Sequence, residues 1–102
     1  MDMEMICFKI ISAVGTARAN YIEAMQKARK GNFEEAEKLI NEGNDYFIEG
    51  HKVHAQLITN EASGNKTEVS LLLLHAEDQL MSAETIKIMV EELIELYHQL
   101  HK

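Results

Sequence analysis

The chain contains no proline, and only five of its 102 residues are glycine, so it offers few points at which a helix has to end. Gly31 followed by Asn32 predicts the first of these points. Glycine favours the left-handed conformation just after a helix, and Asn32 with Glu35 three residues later forms a capping-box pattern that starts the next helix. The second point is the run Ser-Gly-Asn-Lys-Thr at residues 63–67.

Three long helices are therefore expected, over about residues 4–30, 32–62 and 67–100, with Asn65 or Thr67 as the N-cap of the third. Connections of only a few residues force neighbouring helices to run antiparallel. The predicted fold is all-α, a three-helix up-down-up bundle that forms a single domain over residues 1–102.

Apolar and small residues recur at alternating steps of four and three in the second and third helices, as expected for helix faces that pack in a bundle. In the second helix these are Ala36, Ile40, Gly43, Phe47, Gly50, His54 and Leu57. In the third helix they are Val69, Leu73, Ala76, Leu80, Ala83, Val90, Ile94 and Tyr97. Leu71, Leu72 and Leu74 point in other directions, and two partner helices cannot cover a helix that is apolar nearly all round. We therefore expect self-association through the third helix.

Composition and charge exclude several kinds of partner and location. With 46% hydrophobic and 26% charged residues the chain can bury a core, and a formal net charge of −7 argues against nucleic acid or an anionic membrane as the main partner. The longest fully apolar run, residues 71–74, is too short to span a membrane, and no basic segment precedes an apolar one at the N-terminus. We expect a cytoplasmic protein whose single cysteine, Cys7, is packed rather than reactive.

A polar cluster follows the leucine run in the third helix. His75, Asp78 and Ser82 are spaced three and four residues apart, so they share one helix face. Two interpretations are open: His75 is an interface histidine hydrogen-bonded to Asp78, or it is a nucleophile. A neutral imidazole on a rigid helix is a good acceptor for a phosphoryl group when one ring nitrogen is held and the other is exposed.

The other histidines are weaker candidates. Glu95 and His98 form one Glu-x-x-His pattern, whereas a di-metal storage bundle needs two such motifs and further glutamates. His51 and His54 are three residues apart and could touch one ligand, but a lone His-x-x-His is common by chance. His98 and His101 lie in the last turns, where a cationic side chain complements the helix dipole.

A non-catalytic helical interaction domain is the alternative function. Residues 28–50 resemble a tetratricopeptide hairpin, with Ala28, Gly31, Phe33 and Ala36 at suggestive places. A second copy at a spacing of about 34 residues is missing from the sequence, and isolated repeats of this kind are unstable.

The segment Leu72-Leu73-Leu74-His75-Ala76-Glu77-Asp78-Gln79-Leu80-Met81 resembles the signature of the lactose/cellobiose-type enzyme IIA of the bacterial phosphotransferase system. The resemblance extends over most of the chain, through the segments at residues 15–18, 31–36, 56–58, 61–64 and 92–94, together with His51.

This resemblance implies a subunit that assembles as a homotrimer and carries phosphoryl groups for sugar uptake. His75 would accept a phosphoryl group from the histidine-containing phosphocarrier protein and pass it to a cysteine of enzyme IIB, so that the membrane is reached only indirectly. Asp78 would gather with its symmetry copies at the trimer axis around a divalent metal ion, for which we expect magnesium, or calcium as a second hard ion. Alternatively, Asp78 only orients His75.

The chain departs from the family pattern at two places. The family commonly reads His-Ala-Gln-Asp-His-Leu-Met, whereas this chain has Glu77 and Gln79. Where the family usually has Ala-His-x-x-Gln, residues 50–54 read Gly-His-Lys-Val-His. The phosphoryl acceptor and the aspartate are intact, but the donor that would stabilise a phosphoryl group stays open between Gln79, Ser82 and His54.

Overall fold

The computed structural model describes residues 2–102 as three α-helices, and no strand occurs in this range. α1 spans Met3–Arg29, α2 spans Phe33–Ala62 and α3 spans Leu71–Leu100. They form a rod of about 54 × 20 × 19 Å. The predicted all-α three-helix architecture is confirmed.

The turn between α1 and α2 ends the first helix as predicted but starts the second differently. Gly31 is in the left-handed region with φ 86°. Its N–H donates to the carbonyl of Ala28 at 2.9 Å, and the N–H of Asn32 donates to the carbonyl of Lys27 at 2.9 Å, which is a Schellman motif. Asn32 takes the N-cap position, yet its side chain makes no capping hydrogen bond. The predicted capping box is therefore wrong.

The third helix begins four residues later than residue 67. The N–H of Asn65 donates to the carbonyl of Asn60 at 3.1 Å and so belongs to the end of α2. Ser70 is the N-cap of α3, because its backbone is extended and its Oγ accepts from the N–H of Leu73 at 3.1 Å. The prediction of Asn65 or Thr67 as N-cap is wrong.

α1 is the central helix of the bundle. It packs against both α2 and α3, which contact each other at few points. Its buried face carries Cys7, Ile10, Val14, Ala17 and Tyr21. The predicted inward faces of α2 and α3 are buried or half-buried, with one exception. Val69 lies before α3 and is 70% exposed, so its place in the inward face was wrongly predicted.

Two glycines of α2 set how closely that helix approaches α1. A Cβ atom added to Gly50 would lie 2.6 Å from Cγ1 of Val14, and one added to Gly43 would lie 2.9 Å from Cε1 of Tyr21. Both contacts are shorter than carbon atoms tolerate. Glycine is therefore required here by packing rather than by backbone conformation.

The side of α3 that faces away from α1 is uncovered and carries many apolar residues among its polar ones. Leu71 is 84% exposed, and further exposed apolar residues on this helix are Leu74, Met81, Ile88, Met89, Leu96 and Leu100. The prediction that two partner helices cannot cover α3 is confirmed. Within residues 2–102, no helix is long and apolar enough to cross a membrane.

Candidate functional site

His75 stands on the surface of α3, directly after its first turn. The leucine run and the Ser70 cap start the helix, so the imidazole is mounted on regular, hydrogen-bonded backbone. Its side chain is exposed and makes no hydrogen bond or ion pair with any residue in the range 2–102. Within one chain Asp78 therefore accepts no hydrogen bond from His75, and a pairing of the two residues at an interface between chains stays a prediction. An exposed neutral imidazole of this kind is available as a nucleophile.

Gln79 lies one helical turn after His75 on the same side of α3. Its Oε1 accepts a hydrogen bond from Nη1 of Arg18 in α1 at 2.9 Å. This contact joins residues 61 positions apart in the sequence, and no spacing rule could have found it. The one sequence signal was the departure from the family motif at position 79.

His54 contacts Glu77 rather than His75. Its Nε2 lies 2.5 Å from Oε1 of Glu77, which joins α2 to α3. Residues two positions apart on a helix point about 200° away from each other, so Glu77 and His75 face different sides of α3. Within one chain His54 therefore does not face His75, although the sequence left it open as a donor to the phosphoryl group.

Asp78 lies among the exposed apolar residues of α3. Its carboxylate is exposed and has no hydrogen-bond or ion-pair partner in the part of the chain that the structure describes. Residues 2–102 of a single chain contain no group of three or more His, Cys, Asp or Glu side chains placed to hold a metal ion. Carboxylate oxygen is the ligand that magnesium and calcium prefer, so a cation here fits the donor chemistry only if further copies of Asp78 converge on it.

The remaining histidines pack on aromatic rings. His98 stacks on Phe33 with ring centroids 3.7 Å apart, and His101 meets the same ring edge-on at 5.4 Å. Both lie at the end of the bundle where α3 finishes. His51 lies 6.0 Å from the ring of Phe47. The positions of these three side chains are therefore explained by ring contacts within the chain, and no ligand is needed to explain them.

Cys7 is packed in the core, as predicted from the sequence. Burial, and to a smaller degree the carboxylate of Glu77, raises the pKa of the Cys7 thiol. A raised pKa keeps the thiol protonated at neutral pH, and only the thiolate is a good nucleophile. Cys7 is therefore not part of the site.

Comparison with known proteins identifies relatives along nearly the whole chain. The family model for the lactose/cellobiose-specific IIA subunit of the phosphotransferase system (PTS) matches residues 5–98. The lichenan-specific phosphotransferase enzyme IIA component of Bacillus subtilis (strain 168) is 42% identical over 99 residues, which are 97% of this chain and 90% of the relative.

Solved structures agree with this match. The PTS cellobiose-specific enzyme IIA from Bacillus anthracis has a TM-score of 0.94 and 39% identity, with 99% of this chain and 94% of that chain covered. IIA(chitobiose), solved in complex with HPr from the N,N'-diacetylchitobiose branch of the Escherichia coli phosphotransferase system, has a TM-score of 0.86 and 30% identity, with 100% and 99% covered.

Proposed function

Since the chain belongs to the lactose/cellobiose-specific IIA family of the phosphotransferase system, we propose that it is a phosphocarrier that holds a phosphoryl group on His75 during sugar uptake. The observation that carries this proposal is the state of His75: an exposed, unpaired imidazole on a rigid helix, within the segment that resembles the family signature. The donor in this proposal is the histidine-containing phosphocarrier protein, and a structural relative is known in complex with HPr. The acceptor is a cysteine of enzyme IIB, and the relay operates in the cytoplasm.

The two transfers balance without a further reactant. The lone pair of a ring nitrogen of neutral His75 attacks phosphorus on the phosphohistidine of the donor protein. The new N–P bond forms as the old one breaks, and the electron pair returns to the donor ring. In the second transfer a cysteine thiolate of enzyme IIB attacks phosphorus, an S–P bond forms as the N–P bond to His75 breaks, and the electron pair of that bond returns to the His75 ring. Both steps need in-line positioning and stabilisation of the three equatorial oxygens.

We also propose that three chains assemble through α3. The exposed side of the helix carries residues at alternating steps of four and three, the spacing of positions that face the common axis of a parallel coiled coil. These residues are Leu74, Asp78, Met81, Thr85, Ile88 and Glu92. Assembly would bury the apolar side chains among them, which α1 and α2 of the same chain leave exposed to water, and burial of apolar surface is favourable.

In such a homotrimer three copies of Asp78 would meet at the axis. Converging carboxylates repel one another by several kcal/mol in a poorly solvated interior, unless they bind a cation or take up protons. A divalent ion, magnesium in our proposal, would be held by the three Asp78 carboxylates and would neutralise them. This ion has no part in the phosphoryl transfer that we propose for His75.

The alternative of a tetratricopeptide-like interaction domain finds no support. Residues 28–50, which resemble such a hairpin, form the end of α1, the turn and residues 33–50 of α2, and they fall inside the family match over residues 5–98. The chain therefore has one proposed function.

Labelling tests the assignment of His75. Incubation with radiolabelled phosphoenolpyruvate, enzyme I and the histidine-containing phosphocarrier protein should give an acid-labile, alkali-stable label, as a phosphohistidine does. His75→Gln should abolish the label. His51→Gln is the matched control, because it removes another exposed histidine, and it should label like the wild type. Label that persists in His75→Gln would refute the assignment.

A further inference from the structure

The orientation of the Gln79 amide is fixed by its partner. Arg18 is partly buried, and its guanidinium can only donate hydrogen bonds, so the atom that faces it must be the oxygen of Gln79. The N–H₂ group of Gln79 is consequently turned away from Arg18. Its two donors remain available for a ligand, since no other hydrogen bond of Gln79 occurs within residues 2–102.

The same amide lies beside the proposed phosphoryl acceptor. Side chains four residues apart on a helix have Cβ atoms about 5–6 Å apart, so the amide of Gln79 is within reach of a group carried by His75. The ring itself is not the natural target of the amide. A donor placed on the free lone pair of the imidazole would block the nucleophile, whereas the equatorial oxygens of a phosphoryl group accept several hydrogen bonds.

The charge of Arg18 is also uncompensated. In a chain with formal net charge −7, the one ion pair within residues 2–102 joins His54 and Glu77, so no carboxylate neutralises the guanidinium of Arg18. A half-buried guanidinium without a carboxylate, one side chain away from an exposed histidine, favours an anion at that place.

We propose that Gln79 donates an amide hydrogen bond to the phosphoryl group in transfer to and from His75, and that Arg18 is the positioning residue that fixes this amide. The inference rests on the proposed function of His75. A donor held in place before reaction stabilises the charge on the equatorial oxygens without further reorganisation, which is the general advantage of preorganised donors. Arg18 acts through Gln79, because its guanidinium contacts the amide oxygen.

Gln79→Glu separates this role from a structural one. The glutamate keeps an oxygen for Arg18 and so preserves the link between α1 and α3, but it has no N–H to donate and adds a negative charge. We expect kcat for transfer from the phosphorylated phosphocarrier protein to fall about ten-fold or more, with KM nearly unchanged and the unfolding midpoint retained. The ³¹P resonance of the phosphohistidine should also shift.

Arg18→Met should lower kcat in the same direction, since the amide is then free to rotate, and Arg18→Lys should restore part of the loss by supplying one donor. Tyr21→Phe is the matched control: it deletes a different hydrogen bond between helices, the one from Tyr21 to Oδ1 of Asn44 at 2.8 Å, and should leave kcat unchanged.

Two results would overturn the inference. If the wild type is labelled at His75 but Gln79→Glu and Arg18→Met transfer at the wild-type rate with an unshifted ³¹P signal, Gln79 is no donor and the phosphocarrier function stands. If the wild type is not labelled at His75, the proposed function fails and this inference fails with it.

Discussion

What distinguishes His75 from the other four histidines is its surroundings. Each of the others contacts a neighbouring side chain. His54 contacts Glu77, His51 contacts Phe47, and His98 and His101 contact Phe33. His75 alone among them has no side-chain partner in the described part of the chain. A histidine held by packing contributes to stability, whereas one left free on a regular helix is available for chemistry.

Ionisation of Tyr21 makes the free energy of unfolding depend on pH in the alkaline range. Burial, and to a smaller degree the carboxylate of Glu91, raises the pKa of Tyr21 to about 12. In the unfolded chain a tyrosine ionises near pH 10, so above that pH the unfolded state loses its proton first. The contribution of the protonated phenol is fully present below pH ~10 and is lost as the pH rises toward ~12.

Urea unfolding at a series of pH values checks this prediction. We expect the free energy of unfolding to fall between pH ~10 and ~12, and Tyr21→Phe to flatten that fall. Tyr46→Phe is the control, since Tyr46 is exposed, and it should keep the wild-type slope. An unchanged slope in Tyr21→Phe would contradict the assignment to Tyr21.

The sequence identified His75 and Asp78 as candidate site residues because the ten consecutive residues 72–81, which contain both, resemble a family signature. It could not find the partners of Gln79 and Glu77, which lie 61 and 23 residues away. Such contacts depend on how far the helices are shifted along their axes and rotated about them. Neither quantity is encoded in local spacing.

At the scale of the helices, periodicity predicted which faces are buried, while one boundary was missed. The inward faces of α2 and α3 follow steps of four and three, because burial repeats with the helix turn. The start of α3 is decided instead by one side-chain hydrogen bond, from the N–H of Leu73 to Ser70. Asn65 and Thr67 are also residue types that favour the N-cap position, so composition alone could not choose among the three.

Gly50→Ala should destabilise the bundle. The added Cβ would lie 2.6 Å from Cγ1 of Val14, and overpacking of this kind costs about 1–3 kcal/mol. Alanine recovers up to about 1 kcal/mol of that through its higher helix propensity. The net effect is a loss of stability, measurable by urea unfolding.

Gly15→Ala is the matched control within α1. No atom of residues 2–102 lies within 4 Å of a Cβ added there, so only the helix-propensity gain applies and the variant should be as stable as the wild type or slightly more so. Equal or greater stability of Gly50→Ala relative to the wild type would show that α1 and α2 can separate slightly without cost.

At the scale of the whole molecule, the rod leaves one side of α3 uncovered, and assembly is the expected response. Sedimentation equilibrium at micromolar concentration should give about three times 11.6 kDa. Ile88→Lys should shift the population to monomers, because it puts a charge into the exposed apolar side of α3. Ile48→Lys, which changes a similarly exposed isoleucine on α2, should leave the mass unchanged. A wild-type monomer would contradict the proposed homotrimer.

Removal of divalent cations tests the role of Asp78 in that assembly. If the carboxylates share an ion, a chelator should lower the unfolding midpoint of the wild type, because the repulsion among them is restored. Asp78→Leu deletes the repulsion and should be insensitive to the chelator while staying trimeric. If the chelator has no effect and Asp78→Leu instead changes the titration of His75, Asp78 orients the histidine and holds no metal.

The central place of α1 also bears on the order in which the chain folds. α1 and α2 are joined by a turn of three residues, so their contact is local and closes at little entropic cost, whereas α3 must return across a longer stretch of chain to reach α1. A chain emerging from the ribosome can therefore pair its first two helices before the third is made. The proposed phosphoryl acceptor, His75, and the surface proposed for self-association are both carried by α3, which is the last helix to be made. We expect that an incomplete chain lacks both, so that truncated products cannot enter the assembly and leave it short of an acceptor.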